Sequence, residues 1–296
     1  MTQMAQGAAG TPASQPIARR KGFRGLAKLA RNRGALVGAG IVILFSLLAI
    51  FAPLLATHDP FATAFTSVRK PPSAEFWLGT DEIGRDIYSR LLYGARASLM
   101  AGVVSVAIAL AIGVPLGLIS GYFGGLVDGA ISRVVEALLA IPSLILAIAL
   151  AATLGPSLVN AMLAIGIAAT PIFVRLTRGQ VLAVKTEDYV EGAHAIGLPH
   201  GLIILRYILP NILPPVVVQA TITVATAIIA EASLSFLGLG QQPPNPSWGS
   251  MLNTAKNFMT QAPWMSIFPG GAIFLVVLGF NLFGDGLRDA LDPRDS

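Results

Sequence analysis

Polar and apolar positions along this chain are segregated into blocks rather than interleaved. Residues 35–55, 97–120, 158–174 and 267–284 carry no charge; 134–154 carry only Glu136, and 212–238 only Glu231. A helix needs about 20 apolar residues to cross a bilayer core. The pattern predicts an all-α, polytopic membrane protein with six transmembrane helices at those positions. The fourth is short, with Pro171 near its end and a Gly155-Pro156 turn before it. Strands of a membrane barrel would alternate apolar and polar residues over about ten positions. These runs are continuous and rich in Ala, Leu, Ile and Gly, which reads as helix, the form that satisfies its own backbone in lipid.

Composition agrees. Of 296 residues, 54% are hydrophobic and 12% charged, with a mean hydropathy of +0.71. Soluble domains carry about twice that charge. The chain has no cysteine, which removes disulfides, Cys-zinc sites and thiol catalysis.

The net charge of +5 is a topology signal. Seven of the 20 Lys and Arg residues precede the first span. With that tail in the cytoplasm, fourteen basic residues fall inside and six outside, so both termini are expected to be cytoplasmic. These basic residues flank spans instead of forming one face, so no nucleic-acid partner is expected.

Three regions follow: an N-terminal tail over 1–34, a transmembrane domain over 35–284 with a cytoplasmic loop at 175–211, and a C-terminal tail over 285–296. Residues 1–16 lack periodicity and read as disordered. Within 20–31, Phe23, Leu26, Ala27 and Ala30 share one helical face beside Lys21, Arg24, Lys28 and Arg31. That pattern suits either a helix lying on anionic lipid or a plain basic anchor. The first apolar run, at 21 residues, exceeds a usual leader core and no small-x-small site follows it, so no cleaved signal is expected.

Candidate chemistry is sparse. Between the first two spans, Asp81, Glu82, Arg85, Asp86 and Arg90 give mixed charge, and Asp86 and Arg90 stand four apart, as a helical ion pair would. With no His beside them they do not read as a metal or catalytic site. Glu136 lies three residues from Arg133, in reach of an interfacial pair. Acids inside spans are costly and often functional. Glu231 therefore either faces a transport pathway or is a hydrogen-bonded strut between helices. His194 and His200 are six apart with Gly197-Leu198-Pro199 between them, which reads as exposed loop histidines.

The cytoplasmic segment 191–210, EGAHAIGLPHGLIILRYILP, carries the most information. Residues 186–196 form a short helix candidate with Glu187 and Asp188 in its first turn. Gly197 suits a C-terminal turn, and a second apolar helix is expected over 198–209, ending at Pro210. Glu191, Gly192, Ala193, Gly197 and Pro210, at these intervals, resemble the EAA loop of ABC-importer permeases. Gly192 and Tyr207 depart from that pattern, where Ala and an aliphatic residue are usual. The string LGTD-x-x-GRD-x-x-SR from Leu78, with IPSLILAIAL at 141–150, EASLSFLGLGQQPPNPSWGSML at 231–252 and GLRDALDPR at 286–294, resembles the C-type subunit of the dipeptide, oligopeptide and nickel branch.

The resemblance implies a type I ABC importer fold in the bacterial inner membrane, with 191–210 as the element an ATPase pushes. It also implies a second homologous permease, two ATPase subunits and an external solute-binding protein as partners, no cofactor, and a solute most often a di- or oligopeptide. No GxxxxGK[ST] occurs in the chain, so ATP hydrolysis belongs to another polypeptide. The competing reading is a secondary transporter independent of ATP, whose folds are built on internal repeats; no half-to-half repeat is evident here. A membrane-embedded enzyme would need catalytic residues that the spans lack.

Overall fold

The computed structural model describes residues 28–291 apart from Arg31. The aperiodic stretch 1–16, residues 20–27 and Arg31 of the basic segment, and the tail beyond Leu291 lie outside the described residues.

Asn32 opens α1 (Arg33–Ile50): its side-chain oxygen accepts from the Ala35 amide at 3.2 Å, a role for which Asn is favoured. A single turn, α2 (Ala52–Leu55), follows. Asp86 caps α3 (Ile87–Phe123), accepting from the Ser89 amide at 2.9 Å. At 37 residues, α3 is about 55 Å long, so the span expected at 97–120 leaves out its first ten residues and its last three. Asp86 also accepts from the Ser89 and Thr57 hydroxyls. The expected Asp86–Arg90 pair therefore does not form. Arg90 instead lies 3.5 Å from Asp81 and donates to the Pro60 carbonyl at 2.9 Å. Burial, and then the neighbouring Asp81, push the Glu82 carboxyl above the ordinary range.

The span expected at 134–154 needs correction. It is two helices, α4 (Gly125–Leu139) and α5 (Ser143–Leu154), that meet at 91°. Pro142 stands at the α5 N-cap, and a proline there biases Ile141 away from helical backbone. The next helix differs the other way. α6 (Leu158–Val184) continues through Pro171 for ten residues past the expected end at 174. Losing one backbone bond at Pro171 is offset by packing, since Phe173, Val174, Thr177 and Val181 are all buried.

After α6 come α7 (Asp188–Ala195), α8 (His200–Ile203), a π turn (Ile204–Ile208), α9 (Leu209–Phe236), α10 (Trp248–Ala255) and α11 (Trp264–Leu291). Pro210 does not end a helix. The helix runs on through it, unbroken from His200 to Phe236, with a π turn just before the proline. The π turn widens the coil ahead of it, and the Asn211 side chain donates to the Tyr207 carbonyl at 2.6 Å. Among the described residues, five helices are long and apolar enough to cross a membrane, or six if α4 and α5 count as one broken span.

Among the described residues, three apolar clusters stack along the bundle. The middle and largest joins Ala109, Ala161, Phe173, Ile228 and Val276 from α3, α6, α9 and α11. One end is built from Ile87, Met251, Ala255 and Met265. The other gathers Leu118, Val181, Val190, Ala193, Ile203, Ile208 and Ile212, so the loop after α6 is packed onto the bundle.

Candidate functional site

The chain after α6 folds back in a few residues. α7 ends in a Schellman motif: the Gly197 amide donates to the His194 carbonyl at 2.9 Å and the Leu198 amide to Ala193 at 3.2 Å. Gly197 takes φ +74, the left-handed region in which a Cβ costs about 1–2 kcal/mol. Its own surroundings are open, with nothing within 4 Å of a would-be Cβ.

Val190 and Ala193 are the buried residues of α7, inserted among Val181, Ile203 and Ile208. The other face is bare. Glu191 and Gly192 are exposed, as are Tyr189 at 44% and Ile196 at 74%. Glu191 makes no side-chain hydrogen bond or ion pair with the described residues, and a Cβ at Gly192 meets nothing within 4 Å. Of the five sequence candidates, Ala193 thus points inward while Glu191, Gly192, Gly197 and Pro210 lie on the surface.

Two features of this region were not legible in the sequence. The turn at 197–199 brings His194 and His200 together on Tyr122, at the end of α3. The Tyr122 hydroxyl lies 2.7 Å from His200 Nδ1 and 3.4 Å from His194 Nε2. Separately, Arg178 of α6 donates through Nε and Nη2 to Asp128 of α4 at 2.5 and 2.6 Å, and the Ser120 hydroxyl of α3 donates to the same carboxylate. Asp128 falls outside every expected span, and sequence spacing gives no hint of a partner 50 residues away. By contrast, Arg133 and Glu136 do pair, at 3.4 Å on the surface.

Glu231 is 0% exposed. Ser98 of α3 donates to its Oε2 at 3.0 Å and Ser235 to its Oε1 at 2.6 Å. The Trp248 amide at the start of α10 in turn donates to Ser98 Oγ at 3.3 Å. The carboxylate therefore ties α9 to α3 and, through Ser98, to α10. Glu231→Ala is expected to lower the melting temperature of the purified complex by several degrees. It strands two buried hydroxyls at about 1–3 kcal/mol each and leaves a cavity. An unchanged melting temperature would exclude a structural role. Among the described residues, no group of three or more His, Asp or Glu side chains has the spacing of a metal site.

Residues 113–295 match the family described as the binding-protein-dependent transport system inner membrane component. Residues 24–72 match the N-terminal transmembrane domain of oligopeptide transport permease C. The chain is 50% identical to the dipeptide transport system permease protein DppC of Alkalihalophilus pseudofirmus, over 90% of this chain and 88% of that one. It is 50% identical to the probable D,D-dipeptide transport system permease protein DdpC of Escherichia coli, over 86% of each. With the glutathione transport system permease protein GsiD of Escherichia coli the identity is 46%, over 89% and 88%. In structure it resembles an inward-facing chain of the MetNI methionine ABC transporter, with a TM-score of 0.57, 22% identity, and coverage of 70% of this chain and 98% of that one. At that identity the likeness is one of fold. Since the family match alone spans well over half of the chain, and permease C relatives cover most of it, this chain belongs to the binding-protein-dependent transport system inner membrane component family, in its permease C branch.

Proposed function

We propose that this chain is the permease subunit through which an ATP-driven importer moves di- or oligopeptides across the bacterial inner membrane. An ATPase docks on the bare face of α7. The observation that carries this reading is the make-up of that helix. One face is sunk into the bundle through Val190 and Ala193, and the other offers Glu191, the open Gly192 and the exposed Tyr189 and Ile196 with no cover from the chain itself. A helix so mounted transmits a push to α6 and α9 as a rigid body, because its buried side chains share one cluster with theirs. The family supplies the rest of the machine in outline, an ATPase and a solute-binding protein.

Finer assignments follow from the same reading. The complex pairs this chain with a second, homologous permease and two ATPase subunits. Both termini and α7 are cytoplasmic, as the excess of Lys and Arg on that side supports. The peptide cargo is supported by relatives that carry dipeptides and glutathione in their names. The mechanism is alternating access. Closure of the ATPases draws the two coupling helices together and opens the outer gate to the loaded binding protein, and hydrolysis resets the inward-facing state. Burial of Glu231 among Ser98 and Ser235 favours the strut over the pathway role for that residue.

The test is reconstitution of the chain with its co-purified subunits in lipid vesicles. Uptake of a labelled dipeptide is expected to require both ATP on the ATPase side and the binding protein. Uptake driven by an ion gradient without ATP would overturn the assignment in favour of a secondary transporter.

A further inference from the structure

The turn at 197–199 sets an imidazole on each side of one phenol. His194 lies in the last turn of α7 and His200 opens α8. Both are exposed, and both rings pack on Tyr122 at the end of α3. The imidazole centroids are 5.8 Å apart. The Tyr122 hydroxyl is 2.7 Å from His200 Nδ1 and 3.4 Å from His194 Nε2. Ring nitrogens from two different helices therefore converge on one point, which the hydroxyl oxygen marks.

Three observations separate this trio from a pair of surface histidines. The first is that its frame is fixed on every side. Tyr122 is half-buried, and the Gly121 carbonyl before it accepts from Lys185 Nζ at 3.0 Å. Ala193 and Ile203, beside the histidines on α7 and α8, are buried in one cluster with Val181. The Gly197 and Leu198 amide bonds hold the turn between them. The second is a shortage of protons. A phenol has one hydrogen to donate, so when both facing nitrogens carry lone pairs it serves one of them. A cation serves both at once. The third is the donor set. Among the described residues no carboxylate pairs with either ring. Imidazole suits zinc and copper, whereas magnesium and calcium want oxygen ligands.

We propose that His194 and His200 form a binding site for a divalent transition metal of the zinc class. His194 Nε2 and His200 Nδ1 are the ligands, with water completing the shell. Tyr122 is a positioning residue that aims both rings. Each ligating nitrogen turns its lone pair to the ion, so the ring protons sit on His194 Nδ1 and His200 Nε2. Zinc–nitrogen bonds are about 2.0–2.1 Å long, so the ion takes the place in front of the hydroxyl and draws the rings together. Bound metal staples α7 to α8 across Gly197. The site does not depend on which solute the importer carries.

The test uses the whole importer, purified on a tag without histidine and stripped with chelator. Zinc titrated against a chromophoric competitor should reveal a site with Kd on the order of 1–100 μM, as half the protein ligands of a structural zinc site allow. His194→Ala and His200→Ala should each weaken it by at least about tenfold, and Tyr122→Phe by roughly tenfold, as loss of an orienting partner does. The histidines are exposed, so these variants should purify with wild-type yield. Copper(II) bound at this site should show two imidazole nitrogens by electron paramagnetic resonance in the wild type and in Tyr122→Phe, and one in either histidine variant. Zinc should slow hydrogen exchange across residues 194–200 in the wild type and leave it unchanged in His200→Ala.

Zinc affinity that is the same in the wild type and both histidine variants overturns the proposal. So does a wild-type copper signal with a single nitrogen, or exchange at 194–200 that ignores zinc. Full affinity in Tyr122→Phe would overturn the positioning role of the tyrosine.

Discussion

Gly117→Leu is expected to abolish the folded subunit. Gly113, Gly117 and Gly121 recur every four residues and form one stripe of α3, and the buried face of α6 lies directly on it. A Cβ at Gly117 would stand 2.6 Å from Thr177 Cβ and 2.7 Å from the Val174 carbonyl oxygen, and one at Gly113 would stand 2.7 Å from Phe173 Cβ. Two of those neighbours are β-branched or aromatic side chains at their stiff Cβ, and the third is backbone, so none yields cheaply. Small residues at such crossings let helix backbones approach closely, which is where membrane helices gain their packing energy. Overpacking a tight site costs about 1–3 kcal/mol for added methylenes. Here the whole Leu side chain has to be housed, so the two helices must separate along their length. The consequence reaches the coupling loop, because Leu118 and Val181 at the end of this interface are part of the cluster that holds α7. The measurement is the yield of monodisperse complex after detergent extraction, with Gly129→Leu as the control. Nothing lies within 4 Å of a Cβ at Gly129, so that change should leave yield near wild type. Equal yields for the two variants would contradict the packing described here.

Much of this architecture was written in the chain. Uncharged blocks long enough to span are a direct consequence of what lipid permits, and long apolar helices cover most of the expected spans, with 134–154 the exception, split into two helices that meet at 91°. What escaped sequence reading has physical causes. Proline was read as a terminator at Pro171 and Pro210. At the first, buried packing on α3 outweighs one lost hydrogen bond; at the second, a π turn gives the ring room. At Pro142 the same residue does break the helix, where the flanking residues 139–145 are exposed and no packing compensates. Local sequence does not separate these cases, because the deciding term is tertiary. The same holds for side chains. His194 and His200 meet on Tyr122 only because the backbone reverses at Gly197, and Asp128 finds Arg178 only because α4 turns back onto α6. The EAA-like segment was legible as a short helix, a glycine turn and a second helix, with the inward direction of Ala193 and the outward direction of Glu191 left to the structure.

Glu191→Lys is expected to abolish uptake while leaving the subunit folded. The argument turns on what Glu191 does not touch. Its side chain is exposed and has no hydrogen-bond or ion-pair partner among the described residues, so replacement costs the fold little. Surface changes of this kind stay within about 0.5 kcal/mol, and reversing a charge in the first turn of α7 adds only a few tenths through the helix dipole. A partner surface that meets Glu191 is affected far more. Losing a charged contact at the centre of an interface costs about 2–4 kcal/mol, roughly 30- to 1,000-fold in affinity, and a lysine adds repulsion to that loss. Gly197→Asp belongs beside it. The backbone there sits at φ +74, which Asp tolerates better than most residues. Its side chain has open space within the subunit but stands on the surface the partner would use. Both variants should therefore insert and purify with wild-type yield of the permease. Uptake in reconstituted vesicles should fail, and ATP hydrolysis stimulated by the loaded binding protein should fall with it, or the ATPase should be lost on purification. Ile196→Ala, which trims an exposed apolar side chain on the same face, should show a milder form of the same defect. If Glu191→Lys and Gly197→Asp both transport and both stimulate hydrolysis at wild-type rates, the bare face of α7 is not where the motor acts, and the push must enter through another part of the loop.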